Sequence, residues 1–115
     1  MSFLSGLFGP SVPSISAQEV SEKLSGQSHP FVLDVRQPEE FRQGHIQGAK
    51  LIPLGELERR LKEVPQSGEV VCVCASGNRS VPAVQILAAA GYTASSLKNG
   101  MLGWQTAHLP TVKGM

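Results

Sequence analysis

The stretch Val70-Val71-Cys72-Val73-Cys74-Ala75-Ser76-Gly77-Asn78-Arg79-Ser80 decides how the chain is read. Its first half is an apolar run rich in β-branched residues, the pattern of a buried strand. A cysteine follows, then Ala75, Ser76, Gly77 and Asn78, which are small or prone to turns. Ser80 to Ala90 comes next, with Val81, Val84, Leu87 and Ala88 at helical spacing and Gly91 at the expected C-terminal cap. Pro82 is tolerated because it falls in the first turn. A strand, a tight loop and a helix in that order form one unit of a parallel sheet. Such sheets present ligands just beyond the carboxyl ends of their strands, where Cys74 stands.

Outward from this unit the alternation continues on both sides. Ser16-Ala17-Gln18-Glu19 reads as a capping box, with Ile15 and Val20 placed for a hydrophobic staple, and opens a helix to about Leu24. Phe31 to Val35 reads as a buried strand. Pro38-Glu39-Glu40-Phe41 opens a short helix that Gly44 ends, with proline and both carboxylates suited to the first turn. Ala49 to Ile52 reads as a strand cut off by Pro53. Leu57, Leu61 and Val64 give a helix over Glu56 to Val64, closed by Pro65. Thr93 to Leu97 is a further strand, and Gly100 to Ala107 a final short helix carrying Trp104. Strands alternating with helices predict an α/β domain with a mainly parallel sheet covered on both faces.

Composition agrees with one small domain. The chain has 115 residues, 41% hydrophobic and 17% charged, which suits a packed core and leaves no room for a second domain. A net charge of +1 argues against nucleic acid as the main ligand. No stretch reaches the length of a membrane span, and there is no basic region to open a secretory signal, so a cytoplasmic location is expected. Residues 1–14, MSFLSGLFGPSVPS, read as a flexible tail with Phe3, Leu4, Leu7 and Phe8 as its apolar content, residues 15–110 as the domain, and 111–115 as a C-terminal tail. The two cysteines, Cys72 and Cys74, are too close to make good disulfide partners. His29, His45 and His108 lack the spacing of a metal site, so reduced thiols and no metal are expected.

The chemistry concentrates in Cys74 to Ser80. Small residues let the loop curl and aim successive N–H groups inward, an anion cradle. The helix that follows adds unsatisfied donors and a positive dipole end. Together these favour a thiolate at Cys74, as helix N-termini do for other cysteines. Cys72 is read as a packed core thiol. Gly77 supplies a backbone angle other residues resist, and Ser80 caps or bonds within the loop. Arg79 either binds an anionic donor or reaches back to a carboxylate. Asp34 is expected to bond nearby loop amides or His45, Arg36 to hold a carboxylate such as Glu40, and His45 to be structural; Met101 and Trp104 are candidates to wall the pocket, with the core the favoured place for the lone Trp104.

Four stretches together resemble a single-domain rhodanese, a sulfurtransferase: LDVRQPEEF (Leu33 to Phe41), GHIQGAKLIPL (Gly44 to Leu54), CASGNRS (Cys74 to Ser80) and NGMLGW (Asn99 to Trp104). The resemblance covers about Ser16 to Leu109. It implies a sheet of about five mostly parallel strands with helices on both faces, and an active loop of Cys74, Ala75, Ser76, Gly77, Asn78 and Arg79, with Ser80 beside it. It further implies that Cys74 takes a sulfane sulfur from a small anionic donor such as thiosulfate and passes it from a persulfide to cyanide or a thiol. No cofactor is implied. Two rival functions share the fold. One is a carrier or interaction domain delivering persulfide sulfur to a partner protein. The other is a phosphatase or arsenate reductase, whose C-x5-R loop is one residue longer than the spacing from Cys74 to Arg79 here.

Overall fold

A computed structural model describes residues 12–115. Five strands form one sheet in the order β1-β5-β4-β2-β3: β1 (Ser14–Ile15), β2 (Phe31–Asp34), β3 (Lys50–Leu51), β4 (Glu69–Val73) and β5 (Thr93–Leu97). Every ladder is parallel, as the alternation of elements demands. Four helices cover the faces: α1 (Ala17–Leu24), α2 (Pro38–Gln43), α3 (Ser80–Ala89) and α4 (Gly100–Thr106).

The central strand β4 is buried on both sides, which explains its unbroken apolar run. Val70, Cys72 and Cys74 face one cluster with Leu33, Val84 and Leu87. Val71 and Val73 face the other with Val20, Met101 and Trp104. Trp104 donates its indole N–H to the Pro110 carbonyl at 2.8 Å, so this large core residue leaves no buried donor unpaired. Ser16 caps α1 through its hydroxyl, which accepts from the Glu19 amide at 3.1 Å. Ile15 and Val20 pack in one cluster, as a staple requires.

Four expectations need correction. The fifth strand is β1, drawn from what reads as the tail boundary: Ser14 and Ile15 pair with Ser96 and Leu97, and the Ser96 amide donates to the Pro13 carbonyl. The sheet therefore starts ahead of residue 15, and residues 1–11 of the expected tail lie outside the described residues. Residues 111–115 are not loose either, because Val112 exchanges both backbone hydrogen bonds with His45 at 2.9 Å and the Gly114 amide donates to the Arg42 carbonyl. The strand read at Ala49 to Ile52 is reduced to β3, two residues long: the Ala49 amide is taken by the Ile46 carbonyl in a turn, and past Leu51 the amides of Ile52 and Leu54 still donate to the Asp34 and Val35 carbonyls on either side of Pro53.

The α-helix expected over Glu56 to Val64 is instead a pair of 3-10 segments, Leu54–Glu56 and Glu58–Glu63, interrupted at Arg60. Arg60 bonds Glu56 on one side and Glu63 on the other, while Leu57 and Val64 still reach the core. The apolar spacing is satisfied without a continuous α-helix.

Candidate active site

The site sits at the carboxyl end of β4. Cys74 follows the last strand residue and is 1% exposed. The chain then turns through Ala75, Ser76, Gly77 and Asn78 into Arg79 and Ser80, which begins α3. Gly77 adopts φ +101°, in the region that penalises a Cβ, and this turns its amide back under the loop. That N–H donates to Cys74 Sγ at 3.0 Å. Among the described residues it is the one backbone amide that reaches the sulfur, so the cradle around Sγ itself is narrower than successive donors would make it. Ser80 brings a second polar atom: its Oγ lies 3.5 Å from Sγ and bonds the Gly77 carbonyl at 3.2 Å.

The loop is held from below by α4. The amides of Met101 and Leu102 donate to the carbonyls of Cys74 and Ala75 at 2.8 and 3.0 Å. The first turn of a helix, which has donors to spare, thus satisfies two loop acceptors. Gly100 makes this approach possible. It has φ +57°, and a Cβ there would lie 2.7 Å from the Ala75 carbonyl carbon. Asn99 also adopts a left-handed conformation, φ 62°. The NG pair is therefore part of the loop's foundation, and its sequence signal is an asparagine and glycine placed directly before a helix.

Arg79 is engaged by a carboxylate. Its guanidinium makes two bonds to the Glu40 carboxylate, at 2.7 and 2.8 Å, and ties the loop end to α2. Glu40 Oε1 also accepts from the Gln37 amide. The hydrogen bonds from Arg79 hold the Glu40 carboxyl down at about 2, although partial burial pushes the other way. The same pairing raises Arg79. Of the two roles open to Arg79, the carboxylate pair is the one found.

Arg36 was expected on Glu40 and is instead paired with Asp34: Nε and Nη2 donate to the two carboxylate oxygens at 2.9 and 2.8 Å, and Nη2 also reaches the Gly44 carbonyl. Two residues of separation and near-complete burial make Asp34 the closer partner. Asp34 also accepts from the Arg36 amide, the loop amide its position suggested, and does not reach His45. His45 stacks on Phe41 at 3.6 Å and donates from Nδ1 to the Phe41 carbonyl at 2.7 Å, a structural histidine away from the sulfur. Cys72, one strand repeat before Cys74, has no exposure, and burial pushes its thiol up to about 12. Among the described residues no group of three metal-ligating side chains converges, and no helix is long and apolar enough to cross a membrane.

A strand-end cysteine under a six-residue loop, on a five-stranded parallel sheet, defines a class, and comparison with known proteins gives its family. Residues 16–107 match the Rhodanese-like domain, and the chain belongs to that family. It is 39% identical over 84 residues to the thiosulfate sulfurtransferase PspE of Escherichia coli, covering 71% of this chain and 78% of that one. It is 35% identical over 95 residues to the putative sulfur carrier protein YrkF of Bacillus subtilis, covering 82% of this chain but 51% of the relative. A rhodanese-related protein from Thermoplasma volcanium superposes with a TM-score of 0.81 at 32% identity, over 87% of this chain and 97% of that one.

Proposed function

We propose that the protein is a sulfurtransferase that carries a sulfane sulfur on Cys74. The observation that carries this reading is the Gly77 N–H aimed at Cys74 Sγ at 3.0 Å, with the Ser80 hydroxyl beside it. A hydrogen bond to a charged acceptor is stronger than one to a neutral thiol, so the Gly77 N–H favours the thiolate, and the Ser80 hydroxyl, which accepts from the thiol, can turn to the sulfur once that proton has left. With thiosulfate, the thiolate attacks the outer sulfur. A sulfur–sulfur bond forms at Cys74, the bond to the sulfonate breaks, and sulfite leaves with the electron pair. A cyanide or thiolate acceptor then takes the outer sulfur and returns the Cys74 thiolate. Both steps are nucleophilic displacements at sulfur and need no external oxidant.

The donor assignment follows PspE, named a thiosulfate sulfurtransferase, and the loop's rim adds a constraint. Ala75, Ser76 and Asn78 are neutral, and the charge of Arg79 is answered by Glu40. Recognition of an anionic donor therefore falls mainly to backbone donors. The same pairing supports sulfur transfer over phosphate chemistry, since the one loop arginine is engaged outside the ring. Delivery to a protein acceptor is the second reading, favoured by the resemblance to YrkF.

Intact-mass measurement after incubation with thiosulfate tests the proposal. We expect a gain of one sulfur atom, reversed by cyanide with release of thiocyanate. No gain with thiosulfate but a gain with a persulfide donor moves the assignment to the carrier reading. Aryl-phosphate turnover comparable to sulfur transfer, and dependent on Cys74, overturns it.

A further inference from the structure

Ser96 lies near the end of β5, outside each of the four motif stretches, and its hydroxyl stands behind the active loop. Its Oγ is 2.6 Å from Ser80 Oγ, and it makes no other side-chain hydrogen bond among the described residues. Ser80 Oγ in turn faces Cys74 Sγ at 3.5 Å and the Gly77 carbonyl oxygen at 3.2 Å. Both serines are buried, so water does not compete for the bond between them or for the contact of Ser80 with the sulfur.

Counting protons fixes the direction of the short bond. Ser80 has one hydroxyl proton and three neighbours. The Gly77 carbonyl can only accept, and a thiolate can only accept. If Ser80 donated to Ser96, it could serve neither of them, whereas accepting from Ser96 leaves its proton for one of the two at a time. We propose that Ser96 is a positioning residue for Cys74: it donates its proton to Ser80 Oγ and so leaves the proton of Ser80 free for the loop. With Cys74 a thiol, that proton goes to the Gly77 carbonyl while Sγ–H donates to Ser80 Oγ. With Cys74 a thiolate, it turns to the sulfur. The 2.6 Å bond keeps one direction throughout, and a hydroxyl that is itself hydrogen-bonded donates more strongly.

The inference rests on Cys74 being the reactive sulfur. Its effect falls on the thiolate, the form that attacks a donor and the form that leaves when sulfur is handed on. The charged and titratable groups around the loop are Arg79 with Glu40, Arg36 with Asp34, the buried Cys72, and Lys98 beyond β5; α3 carries none. Substituting Ser96 alters no charge among them.

The test is the pH midpoint of thiolate absorbance in the ultraviolet, which needs no sulfur transfer and so stands or falls separately from the enzymatic reading. Ser96→Ala should raise the midpoint, leaving less thiolate at any given pH below it, because a weakened donor favours the charged form less. Ser80→Ala should raise it further, and the double variant should match Ser80→Ala alone. Ser96→Thr, which keeps the hydroxyl, should restore the wild-type midpoint. Ser96→Gly is the second hydroxyl-less variant and must shift in the same direction. A wild-type midpoint in a folded Ser96→Ala or Ser96→Gly protein, or a Ser96 effect that persists in full without the Ser80 hydroxyl, overturns the proposal.

Discussion

Cys72 and Cys74 stand two residues apart on one strand line, face the same side of the sheet, and belong to the same apolar cluster. Neither is meaningfully exposed. Their surroundings nonetheless differ in kind. Cys72 lies in the middle of β4, in register with Leu33 and Ser96, and burial holds its thiol neutral up to about 12. Cys74 lies one residue past the ladder, where the backbone is free to turn, and there the Gly77 N–H donates to its sulfur and Ser80 Oγ accepts from its thiol. Burial alone makes a thiol inert. Burial with donors aimed at the sulfur is what separates a candidate nucleophile from packing material.

The largest expected effect tests that separation directly. Cys74→Ala should remove both the one-sulfur mass gain and sulfur transfer to cyanide, a loss of at least about a thousandfold of the kind seen when a covalent nucleophile is deleted. Cys72→Ala should keep transfer within a few-fold of wild type, at a cost of about 1 kcal/mol in denaturant stability for the lost core volume. Persistence of the mass gain without Cys74, or its loss without Cys72, collapses the distinction between the two sulfurs.

The next effect acts on the loop's foundation. Gly100→Ala forces a Cβ against the Ala75 backbone at a left-handed position. Strain of this kind costs about 1–3 kcal/mol before any clash is counted. Relief requires α4 to withdraw from the carbonyls of Cys74 and Ala75. We expect a lower Tm together with a drop of about tenfold or more in sulfur transfer. A stability loss with unchanged transfer would show that the cradle does not depend on α4.

This foundation marks where sequence reading stops. The strand, loop and helix around Cys74 are legible because each carries a local signal: β-branched alternatives to turn residues, then a helical period. The pairing of Glu40 with Arg79 spans 39 positions and competes with Arg36 for the same carboxylate, a choice settled by tertiary distance. The first strand, two residues long, carries no period at all and exists because its backbone meets the edge of β5. Ser96 and Gly100 look like ordinary strand and turn residues until the loop is folded above them. Local patterns disclose which segment does chemistry, whereas the residues that steady it come from elsewhere in the chain.

A third expectation uses Cys72 as a pH probe. Its folded thiol is raised to about 12 against an ordinary value of 9.0. Between those limits the unfolded chain releases this proton and the folded one keeps it. Stability is therefore fully present below pH 9 and declines as pH rises, by up to about 1.4 kcal/mol per pH unit from this one group. Cys72→Ala should flatten that alkaline decline in urea unfolding measured across the range. An identical slope in the variant would mean the thiol of Cys72 is less isolated than its burial indicates.

The smallest effect concerns the clamp at the loop's far end, and it asks whether charge or hydrogen-bond geometry sets Cys74 apart from Cys72. Glu40 is held at about 2 by Arg79, below its ordinary 4.5. A lowered carboxylate contributes stability above pH 4.5, and that contribution is lost as pH falls through about 2. Glu40→Gln should remove this acid-side slope. Near neutrality it should cost no more than about 1 kcal/mol, because each side chain of the pair is about 35% exposed and the attraction is screened. Sulfur transfer should change by no more than a few-fold: the Gly77 N–H and the Ser80 hydroxyl, the groups at the sulfur, are untouched. Arg79 is then released beside the loop without a carboxylate partner. If transfer from thiosulfate rises sharply, the freed guanidinium has become an anion site, and the wild-type clamp restrains the donor. If transfer instead collapses while the fold survives, Arg79 holds the loop in register, and the contrast between the two cysteines depends on α2 as well as on the turn that follows β4.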